Sequence, residues 1–235
     1  MESKDTTSKV EEQGLRNLQS DYFIQKFFGY IPERKSLETI RYNKSVQKRI
    51  SININHYKAY FETKTSIELD VIPMKGKYGK FINIKDKDKK YFHIYFNDNK
   101  KKEIEDTFLD FDNVSKISII IDYQIKSFSE LFKFCFCIES IEFKKFCRNN
   151  VTDMSGMFYG CSSLKELNLN NFKTNNVTYM SYMFYGCSSL NELNLNDFNT
   201  NNVTNMRGMF LGCLEELKLK LKSQFKGFWE EDFKN

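Results

Sequence analysis

Residues 150–172 and 176–198 are close to copies of one another, and no other feature constrains the fold as tightly. The first reads Asn150-Val-Thr-Asp-Met-Ser-Gly-Met-Phe-Tyr-Gly-Cys161-Ser-Ser-Leu-Lys-Glu-Leu-Asn-Leu-Asn-Asn-Phe172, and the second keeps nearly every position through Cys187 to Phe198. Val151, Val177 and Val203 recur at 26-residue intervals, as do Cys161, Cys187 and Cys213. The same step backwards lands on Leu131, Cys135, Ile138, Ile141, Phe143 and Phe146, so residues 125–150 form a diverged first repeat. The last repeat loses two residues after Cys213, which aligns Leu214, Leu217 and Leu219 with Leu190, Leu193 and Leu195. A fixed period in this range predicts a solenoid, in which neighbouring units cover each other's apolar faces.

Within one repeat, Val151, Met154, Met157, Phe158 and Cys161 recur at steps of three and four, which predicts a short helix ended by Gly160. After Cys161 the pattern changes to Leu164-x-x-Leu167-x-Leu169, the period-two spacing of a strand with Leu167 and Leu169 turned inward. The expected fold class is therefore α/β: a helix-and-strand solenoid with a parallel sheet over residues 125–221, whose strands carry Ile141, Leu167, Leu193 and Leu217 on the core side. Ile117 to Ile121 would add the first strand of that sheet.

The repeat Asn-Val-Thr-x-Met-x-x-Met-Phe-x-x-Cys-x-x-Leu-x-x-Leu-x-Leu-x-x-Phe resembles the BspA-like leucine-rich repeats. The resemblance implies a right-handed leucine-rich solenoid that binds a protein or ligand, and a secreted adhesin is one role it implies. Alternating with the inward leucines are Ser140, Glu142 and Lys144, then Glu166, Asn168 and Asn170, then Glu192, Asn194 and Asn196, then Glu216, Lys218 and Lys220. These residues are the candidate partner-binding face. The alternative reading of the asparagines is that they satisfy one another.

Upstream, residues 1–17 are polar and read as a disordered tail, and residues 18–51 carry a helical apolar pattern. The arrangement Leu18…Ile24-x-x-Phe27-Phe28-x-Tyr30-Ile31…Leu37-x-x-Ile40-x-Tyr42-Asn43 is similar to an F-box. That similarity implies docking to a ubiquitin ligase adaptor through Phe27, Phe28 and Ile31, against a plain helical cap. Residues 52–124 alternate in short apolar runs at Ile67 to Ile72, Phe81 to Ile84, Tyr91 to Phe96 and Val114 to Ile121, a β-rich region leading into the repeats. Residues 222–235 form a C-terminal cap.

Composition narrows the function. With 23 Phe and 13 Tyr the chain buries a sizeable core. The net charge is only +5, the lysine clusters are mixed with acids, and no nucleic-acid-binding signature is present, so no nucleic-acid partner is expected. The N-terminus lacks the apolar run of a secretory signal, and no stretch approaches the ~20 apolar residues of a membrane span, which predicts a cytoplasmic protein with reduced cysteines. Cys135-Phe-Cys137 with Cys147 lacks metal-ligand spacing and a nearby histidine, so neither metal nor cofactor is expected. The histidines, His56 and His93, stand outside any catalytic motif, and no phosphate or dinucleotide loop occurs. The expected role is a non-catalytic module that binds a protein partner, and the Asn-Val-Thr triplets are expected to satisfy backbone groups at the turn into each repeat.

Overall fold

Why the repeats stack is visible in their backbone. The computed structural model describes residues 43–49, 65–99, 107–109, 113–170 and 172–224. In each of the first three repeats alternate N–H groups point out of the repeat and donate to carbonyls of the next one. Met154, Gly156, Phe158 and Gly160 donate to Tyr179, Ser181, Met183 and Tyr185 at 2.6–2.9 Å. The preceding repeat does the same from Phe128, Glu130, Phe132 and Phe134, and the following one from Met180, Tyr182, Phe184 and Gly186. The intervening N–H groups of Met157, Tyr159 and Cys161 close turns on the carbonyls three residues back. Every donor of the segment is thus used, half of them by a neighbour, and a repeat on its own would leave that half unpaired.

This bonding replaces the expected helices. Among the described residues between Lys145 and Leu214 no helix occurs; the segments 155–160, 181–186 and 207–212 are runs of turns. Their geometry needs positive φ at two positions per repeat, held by Glu130 and Phe134, Gly156 and Gly160, Tyr182 and Gly186, then Gly208 and Gly212. A left-handed residue every fourth position rules out a continuous α-helix while preserving its apolar spacing. The inward side chains form ladders: Phe132, Phe158, Phe184 and Phe210 stack with centroids 5.6, 5.6 and 5.5 Å apart and planes within 7°. Beside them Cys161, Cys187 and Cys213 each donate the thiol proton to the carbonyl of Phe132, Phe158 and Phe184 at 2.9–3.1 Å. Burial pushes the Cys161 and Cys213 thiols up to about 12, so both stay protonated at neutral pH and act as small apolar fillers.

The expected leucine-rich solenoid with a parallel four-repeat sheet does not form. The domain is mostly β, built on one mixed five-stranded sheet. Its strands are β1 (Ile67–Pro73), β3 (Phe92–Phe96), β5 (Ile117–Ile121), β6 (Ile138–Lys145) and β7 (Glu166–Asn168), and β2 (Gly79–Lys80) pairs apart with β4 (Phe108–Leu109). The order β3-β5-β1-β6-β7 places β1 between β5 and β6, antiparallel to both. Ile117 to Ile121 therefore joins the sheet antiparallel, not as the first parallel rung. Among the named strands β6 and β7 alone pair in parallel, with Ile141 opposite Leu167, while single parallel bridges join Ser127, Asp153, Tyr179 and Asn205 of successive repeats. Residues 191–195 form no strand, and Leu217 lies on a helix.

Both ends of the stack are closed by other means. Asn83 stands in for a missing preceding repeat: its backbone N–H donates to Leu131 O at 2.7 Å and its amide to Lys133 O at 2.7 Å and Glu130 O at 3.1 Å. It belongs to residues 81–84, expected as a strand and found as irregular chain with Phe81 and Ile82 fully buried. The polar run that follows forms a 3-10 helix, Asp86–Tyr91. At the far end the Leu-x-Leu-x-Leu pattern of residues 217–221 becomes a helix, Glu215–Gln224. Its acids lie in the first turn and Lys222 in the last, as the helix dipole favours. Leu217 and Leu221, four apart, are buried, while Leu219 is 65% exposed.

By backbone contact the chain divides into Met1–Glu62 and Thr63–Asn235. In the first unit the described residues are one short helix, α1 (Lys44–Arg49), capped by Asn43 Oδ1 accepting the Val46 N–H at 3.1 Å. The helix Glu215–Gln224 is α2.

A direct test lies in the glycines. A Cβ on Gly160 would fall 2.5 Å from the Phe134 ring, at φ +70, whereas one on Gly156 meets nothing closer than 3.6 Å at φ +58. Both Gly160→Ala and Gly156→Ala carry the left-handed penalty, about 1–3 kcal/mol. Gly160→Ala is expected to lose more in urea denaturation, because Phe134 must also move. Equal losses would contradict the described contact.

Candidate functional site

The sheet alternates between the core and an open face, and that face is where the sequence places its candidate residues. Leu167 and Leu169 are buried while Glu166, Asn168 and Asn170 are exposed, and Leu193 and Leu195 are buried while Glu192, Asn194 and Asn196 are exposed. These outward groups, with Lys165, Asn191 and, from α2, Leu217 and Lys220, line a groove of about 870 Å³. Two successive repeats form its floor. Glu142 of β6 lies on the same face, opposite Asn168 on one side and Asp70 on the other.

Among the described residues the asparagines of this face bond within their own repeat and not from one repeat to the next. Asn168 Oδ1 accepts the N–H of Asn170 at 3.0 Å, and Asn194 Oδ1 accepts that of Asn196 at 3.0 Å. Each side chain thus pins its own backbone in an Asx turn at the end of the inward-outward run. The same economy holds in the Asn-Val-Thr triplets. Asn176 Nδ2 donates to Asn149 O at 2.6 Å and Thr178 Oγ1 to Thr152 O at 3.1 Å, and Asn202 and Thr204 repeat both bonds one turn later.

Charge along the groove is uneven. Lys165 is held by Glu139 at 2.9 Å and Lys220 by Glu216 at 3.0 Å. Glu142, Glu166 and Glu192 form no ion pair among the described residues. On the neighbouring strands Asp70 is neutralised by Lys144 and by Lys116 at 3.7 Å, and it accepts the Ser118 hydroxyl at 2.8 Å. Lys116 also bonds Asp98, which holds the Asp98 carboxyl below the usual carboxylate range and the Lys116 ammonium above its own.

Two of the expected face residues are elsewhere. Lys218 is 2% exposed, with its ammonium on Glu215 Oε1 at 2.8 Å, because the helix turns it inward where a strand would have turned it out. Glu216 is exposed on α2 as the partner of Lys220. Phe27, Phe28 and Ile31, the candidate adaptor contacts, lie outside the described residues.

The sequence pattern gives no hint of Arg148. It takes the place of Thr174 one repeat on, and both are fully buried. Thr174 exchanges hydrogen bonds with the Asn199 backbone, whereas Arg148 Nη1 donates to Asp122 O at 2.7 Å and its guanidinium lies 5.8 Å from the Phe128 ring centroid. Burial lowers its pKa to about 10. Asp122 in turn meets His93 Nε2 at 3.4 Å, so the first repeat is tied to β3 by a polar chain. Among the described residues no group of histidine, cysteine and carboxylate side chains is arranged to hold a metal ion. No helix among them is long and apolar enough to cross a membrane.

Residues 126–224 match the model of a family described as Mycoplasma protein of unknown function, DUF285. The match takes in the repeats and α2 and leaves β1 to β5 outside it. No curated protein and no solved structure matches the chain.

The division of labour across β7 is measurable. Leu167→Ala removes a buried side chain and is expected to cost about 2–5 kcal/mol. Asn168→Ala removes one exposed turn bond and is expected to cost about 1 kcal/mol or less. Thermal denaturation of the two variants checks the orientation of the strand, and equal shifts would contradict it.

Proposed function

We propose that this chain is a non-catalytic binding module that holds an extended, basic segment of a partner protein in the groove over residues 165–170 and 191–196. The observation that carries the reading is the pair Glu166 and Glu192. They occupy equivalent positions of successive repeats, both are exposed at the groove, and neither has an ion partner among the described residues. The lysines nearby are already neutralised by Glu139 and Glu216, so the surplus charge of the groove is negative. A cationic segment supplies the missing countercharges and is selected over an acidic one by repulsion. An extended shape suits a floor whose polar groups repeat along one direction, with the Asn168 and Asn194 side chains already fixed in their turns and losing little freedom on binding.

Isothermal titration with extended peptides of about ten residues and graded net charge tests this. Basic peptides are expected to bind and acidic ones not. Glu166→Lys with Glu192→Lys is expected to weaken the basic peptide roughly tenfold, more at low salt than at high. Asn168→Tyr with Asn194→Tyr, which fills the groove, is expected to abolish binding, while replacement of Ser155 and Ser181 on the turn side leaves it intact. Binding that ignores peptide charge, or that survives the charge reversal in a folded variant, contradicts the proposal.

A further inference from the structure

A second surface, distinct from the acidic groove, runs along the turn segments of the first three repeats. Three adjoining depressions of about 240, 380 and 390 Å³ share Ser129, and the two larger ones also share Glu130, Lys133 and Phe134. At one end the lining carries Lys80, Lys85 and Lys126, exposed and without ion pairs among the described residues. Lys80 and Lys85 flank residues 81–84, and Lys126 joins them from more than forty positions downstream, a distance over which the sequence does not read as one patch.

At the other end the lining turns aromatic. Phe134 is 48% exposed and meets the half-buried Tyr159 edge-on with centroids 5.2 Å apart. Tyr159 stacks on Tyr185 at 4.4 Å, and Tyr182 packs against both. The Lys133 ammonium lies 5.8 and 5.4 Å from the Phe134 and Tyr159 ring centroids and pairs with Glu130, so this acid offers little repulsion to an anion. The rings are fixed by the stack itself: Phe134 covers Gly160, and Tyr182 covers Gly208.

We propose that this trough binds single-stranded nucleic acid, with phosphates on Lys80, Lys85 and Lys126 and bases against Phe134, Tyr159 and Tyr182. A cationic track ending in preformed aromatic platforms is the arrangement that such strands select, because each nucleotide offers both a charge and a flat face. An acidic polypeptide satisfies the lysines but makes no use of the exposed Phe134 ring or of the half-buried tyrosines beside it. A duplex hides its bases and meets only the charges.

The test uses the full chain and a fluorescently labelled oligothymidylate of about 12 nucleotides, followed by anisotropy across a salt series. The oligonucleotide is expected to bind with an affinity that falls as salt rises. Lys80→Glu, Lys85→Glu and Lys126→Glu together are expected to weaken it by more than about tenfold. Phe134→Leu with Tyr159→Leu, which leaves the charge unchanged, is expected to weaken it roughly tenfold. Ultraviolet crosslinking to the unmodified protein, mapped by mass spectrometry, covers the case in which the aromatic variant fails to fold. Crosslinks are expected within residues 126–134 or at Tyr159. Absence of binding, equal binding of duplex or of polyglutamate of matched charge, or crosslinks confined to residues 165–170 and 191–196 would each overturn the proposal.

Discussion

Half of the backbone N–H groups in the turn segments of the first three repeats are satisfied by the next repeat, and the rest of the domain follows from that demand. The bonds from Met154, Gly156, Phe158 and Gly160 to the carbonyls 25 residues on fix the register of the stack. Register then brings like side chains together, Phe on Phe and Cys beside Phe carbonyl, so that one sequence repeat becomes several parallel ladders. An amide left without its partner in such an interior costs on the order of 1–3 kcal/mol. The ends of the stack therefore need dedicated residues, and Asn83 supplies three donors in place of the absent preceding turn.

The same register creates the two surfaces to which function is assigned. On the sheet side the inward leucines force Glu166, Asn168 and Asn170 outward, and the next repeat does likewise, giving a polar floor with surplus carboxylates. On the turn side the left-handed positions bring the backbone close to the aromatic residues of the neighbouring repeat, which fixes Phe134 and Tyr182 at the surface. Much of the charge of that side comes from outside the repeats, from Lys80 and Lys85 beside the capping Asn83, and is joined by Lys126 of the first repeat. Closure of the stack and assembly of the basic trough are thus one structural event.

The repeat and its inward positions were legible in the sequence, but the fold built from them was not. The 26-residue period and the inward leucines at 167, 169, 193 and 195 follow from spacing alone. The helix expected over Val151 to Cys161 was misread because steps of three and four suit a turn run as well as an α-helix. Gly156 and Gly160, four apart with positive φ, carried the distinguishing signal. The strand expected at Leu217 was misread because alternating Leu and Lys also places Leu217 and Leu221 on one helical face, at the cost of exposing Leu219 and burying Lys218. The insertion of β1 between β5 and β6 depends on antiparallel pairings of residues some fifty to seventy positions apart, such as Val71 with Ile117 and with Ile141, which no local pattern encodes. The leucine-rich solenoid implied by the repeat's resemblance gave way for that reason: the sheet is completed from upstream sequence instead of by further parallel rungs.

The central claim, that the sheet-side groove is a peptide-binding surface, is tested most directly by the side-chain amide resonances of its own asparagines. Titrating an isotopically labelled chain with an extended basic peptide is predicted to shift the amide signals of Asn168, Asn170, Asn194 and Asn196 together, at one common affinity. The amides of Asn83 and Asn176, which are engaged elsewhere in the fold, are predicted to stay in place. Shifts confined to the turn-side residues, or no shift among the groove asparagines while the peptide binds, would contradict the account.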